Sequence, residues 1–204
     1  MIAGIILAAG ASSRMGSPKA LLEYRGEIFV NRLVRLFSSA CDRVIVVLGY
    51  HADAIREHII LENIGLENIG GATIVVNPDP ERGQLSSLQT GLRAVAEDAE
   101  AVLFTPVDSP TVEASTIARV VAAFGSRDEQ TLLVIPRFHG KRGHPVCAAR
   151  EVIAEFLALP PTGQAKEIVN RHEARTLYIE VDDAGVLADI DDPEAFRKLA
   201  GSVK

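Results

Sequence analysis

Short apolar runs of strand length alternate with stretches of helical spacing along most of this chain, and that order restricts the fold more than any single residue does. Residues 2–7 form a continuous apolar run that ends at a Gly-rich turn, as a strand buried on both faces would, and residues 43–48 (RVIVVL) form a second. Between them Val30, Leu33, Val34 and Phe37 recur at helical spacing with Arg32 and Arg35 on other faces, which predicts an amphipathic crossover helix. Residues 52–59 are a shorter helical candidate. Further along, strands are predicted at 73–76, 101–105, 131–135, 145–148 and 175–181. Helices are predicted at 86–97, 114–124, 151–157, 164–172 and from Pro193 onward. Alternation of this kind implies an open, three-layer α/β/α, Rossmann-like architecture with a mostly parallel central sheet. The length fits a single domain over residues 1–204.

Several function classes lose support at once. Against 27 acidic residues stand 21 basic ones, a net charge of −6, and no stripe of Lys or Arg is present to neutralise a nucleic-acid backbone. Cys41 and Cys147 lie far apart, outside any CxxC arrangement, and read as buried free thiols rather than a disulfide framework or zinc site. No basic leader with an apolar stretch and no membrane-length apolar run is visible, so the expectation is a cytoplasmic protein without a membrane partner. The pentapeptide LENIG occurs twice in succession over 61–70, too short a unit for a structural repeat, and reads as a surface insertion with no assigned function.

Ligands of open α/β sheets bind beyond the carboxyl ends of the strands, so the segment after the first strand is the first place to look for chemistry. It reads LAAGASSRMGSPK, from Leu7 to Lys19. Small residues at Ala8, Ala9, Gly10 and Ala11 let backbone N–H groups approach a phosphate closely, and Arg14 and Lys19 add two cations. The spacing matches neither GxGxxG nor GxxxxGK[ST], which argues against dinucleotide-binding and P-loop readings. Taken alone, the loop is better described as a Gly-rich turn carrying a solvated Arg and Lys.

The full string L-A-A-G-x-S-x-R-M-G-x-x-K resembles the signature of the MobA-like nucleotidyltransferases, in particular the molybdenum cofactor cytidylyltransferases. Other segments match in the family's order. Asn77-Pro78 and Gly83-Gln84-Leu85-Ser86-Ser87-Leu88 resemble the nucleotide-side loop and following helix. Pro106-Val107-Asp108-Ser109-Pro110 places an acid after an apolar strand. Arg142-Gly143-His144-Pro145-Val146 resembles the GHPV segment beside the acceptor, and Asp189-Ile190-Asp191-Asp192-Pro193-Glu194 resembles D-I-D-T-P-E.

The resemblance implies a nucleotidyltransferase fold and a magnesium-dependent reaction. A nucleoside triphosphate, CTP from the LAAG string, donates CMP to a molybdopterin-type acceptor and releases pyrophosphate. It implies nucleotide contacts from Leu7, Ala8, Ala9, Gly10, Arg14, Lys19, Asn77, Gly83, Ser86 and Ser87, with Arg14, Lys19 and Asp108 in the catalytic set. Acceptor binding falls to His144. Asp108 and Asp191 are the implied Mg²⁺ ligands. Alternation in an extended segment puts Asp189 and Asp191 on one side, while Asp192 before Pro193 reads as a helix N-cap, and the choice among the three aspartates stays open. GTP in place of CTP, another phosphorylated acceptor, and a non-catalytic cofactor carrier or insertion factor for an apo molybdenum hydroxylase are the alternatives. An oxidoreductase related to the family is a further one, without a dinucleotide fingerprint to support it.

Overall fold

The structure, a computed structural model, describes residues 1–59 and 72–201; the LENIG duplication lies outside the described residues. The first strand, β1 (Ile2–Ala8), is buried along almost its whole length and lies at the centre of an eight-stranded sheet. After a short hairpin, β2 (Glu23–Tyr24) and β3 (Glu27–Ile28), comes the expected crossover helix α1 (Phe29–Ser38), then β4 (Arg43–Leu48). Next are α2 (Ala52–Arg56), β5 (Thr73–Val76), α3 (Gln84–Arg93) and β6 (Ala101–Pro106). The chain continues through α4 (Ala114–Gly125), β7 (Leu133–Phe138), β8 (Lys141–Arg142), β9 (Val146–Ala149), α5 (Arg150–Ala158), α6 (Ala165–Arg171), β10 (Thr176–Glu180) and α7 (Pro193–Gly201).

Strand order is β10-β7-β9-β6-β1-β4-β5, with β8 attached to β7. β1 pairs in parallel with β4 and β6, as do β4 with β5 and β7 with β10. The sheet is therefore mostly parallel, and β9 is the exception, running antiparallel between β6 and β7. The Gly-rich connection at 138–143 is what reverses the chain: His139 and Gly140 both have positive φ between the paired residues Phe138 and Lys141, the backbone of a two-residue hairpin turn.

Helices cover both faces. α1 and α4 pack on one side, where Phe37 of α1 lies over the position a Gly4 Cβ would occupy. α3 and α5 pack on the other, with α6 beside α5. Period-two alternation along β1 separates these environments, since Gly4 meets α1 while its neighbour Ile5 meets α3. The contact at α3 is close. A Cβ on Gly91 would lie 2.8 Å from Ile5 Cγ2 and 3.0 Å from Val47 Cγ2. The residue is glycine because helix backbone rests directly on two strands, which fixes the depth at which α3 presents its first turn to the cleft.

Gly91→Val should therefore lift α3 off the sheet at a cost of about 2 kcal/mol, the range for overpacking a filled core. A guanidinium titration should show a lower midpoint with unchanged slope. An unchanged midpoint would mean that the helix is free to shift without loss.

Candidate active site

Parallel strands β4, β1 and β6 end on the same edge of the sheet, and the loops that follow them enclose a cleft of about 420 Å³. Leu7, Ala8, Ala9 and Gly10 line one wall, joined by Ala11, Ser12, Pro18 and Lys19, and Gly83 and Ser87 line the opposite wall. The Gly10 loop is shaped by Ser12, whose φ is +52° and whose hydroxyl accepts from the Lys19 backbone N–H at 2.9 Å. That bond turns the chain so that Lys19 enters a single 3-10 turn with its side chain directed inward, 14% exposed.

Not every residue expected at the nucleotide lines the cleft. Asn77 and Ser86 are buried behind the wall: the Asn77 amide donates to Ser86 Oγ at 2.8 Å and to Ser87 Oγ at 3.1 Å. Ser86 in turn donates to the carbonyls of Asp79 and Gly83. Ser86 is thus committed to scaffolding, whereas Ser87 accepts from Asn77 and keeps its proton for the cleft, no acceptor for it being found among the described residues. Arg14 stands outside, 69% exposed, with its guanidinium 3.6 Å from Asp191.

A second cavity, also about 420 Å³, opens beside the first and shares Gln84, Pro106 and Asp108 with it. Asp108 follows β6, and Asp189 and Asp191 arrive on the extended segment before α7. Oxygens of the three carboxylates lie within 4.8 Å of one another. Ile190 between them is buried, and its N–H donates to the Asp108 carbonyl at 3.1 Å, so both flanking carboxylates face the cluster. Asp192 is separate, capping α7 through bonds from the Glu194 and Ala195 N–H groups at 2.9 and 2.8 Å.

Lys19 is the cluster's internal cation. Its ammonium donates to Asp108 at 3.1 Å and forms a short bond to Asp191. Burial acts to lower the Lys19 pKa, but the Asp191 bond and the two carboxylate charges outweigh it and hold the pKa above its usual value. Hydrogen bonding from Lys19 holds Asp191 below the usual carboxylate range, with Arg14 adding to the effect. Burial pushes Asp108 up despite Lys19, and burial together with the charges of Asp108 and Asp191 does the same to Asp189. Sequence reading placed Lys19 and Asp108 in different roles; only the fold shows them in contact.

His144 lines the second cavity beside Arg142. It follows β8, and its backbone N–H is fixed by the Val186 carbonyl at 2.8 Å. Burial drives its pKa down to about 4, partly opposed by a backbone hydrogen bond to Phe104, so the ring is neutral near pH 7. Its Nδ1 is buried without a hydrogen-bond partner among the described residues. Gln84, Ser12 and Tyr50 also line the cleft without having been singled out; Ser12 belongs to the thirteen-residue string and Gln84 to the nucleotide-side segment that begins at Gly83, whereas Tyr50 lies in neither.

Small-residue backbone and a lysine beyond the carboxyl ends of parallel strands, next to clustered carboxylates, form an α/β cleft with the groups to hold an anionic ligand beside a cation. Comparison with known proteins gives the family. The chain belongs to the MobA-like NTP transferase domain family, which matches residues 4–176, and is a nucleotidyltransferase of that type. It is 26% identical to the molybdenum cofactor cytidylyltransferase of Escherichia coli K12 across 94% of this chain and 92% of that protein. It is 33% identical to the nicotine blue oxidoreductase of Paenarthrobacter nicotinovorans across 71% of this chain and 69% of that protein. Among solved structures, the manganese complex of Rv0371c from Mycobacterium tuberculosis H37Rv superposes with a TM-score of 0.76 at 26% identity, covering 99% of each chain. No helix among the described residues is long and apolar enough to cross a membrane.

The His144 ring gives a test of its environment. An unfolded ring takes up a proton near pH 6.5 and the folded one only near 4. The unfolded state thus binds more protons across that window, and stability falls as pH drops through it. His144→Asn should flatten the dependence of the denaturant midpoint on pH between 6.5 and 4; an unaltered slope would place the titration elsewhere.

Proposed function

We propose that the protein transfers CMP from CTP to the terminal phosphate of a molybdopterin-type molybdenum cofactor, with Mg²⁺ as the metal and release of pyrophosphate. The reading takes residues 1–204 as one nucleotidyltransferase domain acting in the cytoplasm, before delivery of the cofactor to an apo molybdenum hydroxylase. The observation that carries it is the joining of two cavities at Asp108, one walled by the loop from Leu7 to Lys19 and the other by His144. That geometry suits a donor and an acceptor meeting at one cation site.

The residues present fit a divalent cation. Asp108, Asp189 and Asp191 supply an all-oxygen donor set with excess negative charge, and the cluster already takes one cation in the Lys19 ammonium. Asp108 and Asp191 would be the ligands, with Asp189 as the third carboxylate of the set. When bound, Mg²⁺ supplies charge neutralisation at the α-phosphate. The remaining work falls to the chain. Backbone at Ala9 and Gly10 approaches the phosphates, Lys19 and Arg14 offset triphosphate charge from the two sides of Asp191, and Ser87 donates its free proton to an acceptor atom on the base.

In the transfer, an oxygen of the acceptor phosphate forms a bond to the α-phosphorus of CTP. The bond from that phosphorus to the α–β bridging oxygen breaks, and pyrophosphate leaves with the electron pair. A phosphate monoester is largely ionised near neutral pH, its second pKa lying near 6, so no side-chain base is needed. This agrees with a His144 placed for binding rather than proton abstraction.

Base choice rests on Leu7-Ala8-Ala9-Gly10, since guanylyl-transferring relatives more often carry LAGG at these positions. Purified protein with Mg²⁺ and molybdenum cofactor should release pyrophosphate from CTP and not from GTP or ATP; release from GTP alone would overturn the assignment. The likeness to nicotine blue oxidoreductase favours a second reading, an oxidoreductase, which absence of nicotinamide binding in a titration would dismiss.

Asp108 should be needed for turnover rather than folding, because it stands at the cleft surface with Lys19 as its side-chain partner. Asp108→Ala is expected to keep its melting temperature and lose about 100-fold or more in kcat at saturating CTP. Retained turnover would remove Asp108 from the metal site.

A further inference from the structure

The second cavity presents an electrostatic problem to any phosphorylated acceptor. Asp108, Asp189 and Asp191 all face it, and Lys19, which would offset them, is engaged by two of the three. A phosphate entering here meets acceptor-only carboxylates unless other groups donate to it.

Few groups can. Ser109 gives its proton to the Ala188 carbonyl at 3.0 Å. The Gly143 and His144 backbone N–H groups donate to the Pro136 and Val186 carbonyls. His144 is neutral, its ring hydrogen-bonded to Phe104, and its unpartnered Nδ1 is then an acceptor. Two lining side chains remain. Arg142 has a guanidinium of which only Nη1 is used, in a bond to Asn170 Oδ1 at 3.1 Å, and the Gln84 amide makes no hydrogen bond among the described residues. They stand at different places. Gln84 opens α3 at the junction of the two cavities, beside Asp108, while Arg142 lies on β8 immediately before the His144 loop.

We propose that Arg142 and Gln84 form the anion-binding half of the acceptor cavity. Arg142 takes two phosphate oxygens through its free Nε and Nη2 edge, and Gln84 donates one amide proton to a third oxygen at the boundary with the donor cleft. The inference rests on the nucleotidyltransferase reading and adds to it the groups that select a phosphate monoester. Arg142 supplies charge and a planar fork, Gln84 supplies orientation, and Asn170 holds the guanidinium in place.

The test uses inorganic phosphate as the probe, titrated by ³¹P NMR into full-length protein whose donor cleft is filled with a CTP analogue carrying a methylene bridge between the α- and β-phosphorus. Arg142→Ala should weaken phosphate binding about tenfold and Gln84→Ala about threefold, while Arg142→Ala keeps wild-type affinity for the analogue and both variants keep the wild-type melting temperature. Arg142→Lys should recover part of the loss, since charge returns without the fork. Lys141→Ala, which removes a neighbouring exposed charge outside the cavity, should change nothing. Absence of phosphate binding to the wild type overturns the proposal, as does wild-type binding in both alanine variants or an equal loss in Lys141→Ala. Failure of the analogue to bind would sink the donor-cleft reading instead, and the phosphate titration of the same variants without analogue would still decide the role of Arg142 and Gln84.

Discussion

The hydrogen bond from Ile190 N–H to the Asp108 carbonyl is small in energy, yet the chemistry of this fold depends on it. Asp108 belongs to the loop after a central strand, and Asp189 and Asp191 arrive from a segment that has already left the sheet. Nothing in strand pairing brings them together. The bond does so, aided by Ser109 Oγ to the Ala188 carbonyl and by the His144 N–H to the Val186 carbonyl. Asp183 anchors the start of the same segment: buried, it accepts from the Glu113 and Gly185 N–H groups and from the Thr116 hydroxyl, tying the segment to the first turn of α4. Site geometry is thus set by a strap of backbone laced across the sheet edge, with side-chain direction following from alternation about Ile190.

Bringing three carboxylates together is unfavourable unless a cation accompanies them. Lys19 fills that requirement from the opposite side of the cleft, held by its own backbone bond to Ser12. The same side chain therefore belongs to two structures. It is the end of the glycine-rich loop and also the counter-ion of the acidic cluster, so the loop and the strap are coupled through one ammonium. Under the proposed function, a triphosphate that drew Lys19 toward itself would leave Asp108 and Asp191 short of positive charge and so favour a divalent cation there.

Much of this was legible in residues. Continuous apolar runs at β1 and β4 reported strands buried on both faces, and much of the thirteen-residue string after β1 lies along the wall of a cleft. Asp192 before Pro193 carried its capping role openly. Other features were not legible, for physical reasons. The antiparallel insertion of β9 between β6 and β7 follows a two-residue turn at His139-Gly140, and which strands the returning chain pairs with is settled by tertiary packing. Ser86 and Ser87 are adjacent and chemically identical, and only the position of Asn77 and the carbonyls around it decides that one is scaffold and the other faces the cleft. Pairing of Lys19 with Asp108 and Asp191 joins residues from three separate loops, a tertiary fact with no local signature.

The two cavities differ in the kind of polar atom they offer, and this bears on which ligand goes where. The donor side is built from loop backbone, Lys19 and a hydroxyl with a free proton, a surface that complements phosphate oxygens and base acceptor atoms. The other side offers three carboxylates, with Arg142 and Gln84 at its edges. A ligand complementary to that second surface is anionic at one end and rich in N–H donors elsewhere. A nucleoside triphosphate, with negative charge spread along three phosphates, fits the first description and would meet the carboxylates unfavourably along the second. A phosphorylated heterocycle carrying ring and exocyclic N–H groups fits the second. Under the proposed function, a triphosphate at the loop after β1 and an acceptor in the cavity beside His144 match this distribution of donors and acceptors.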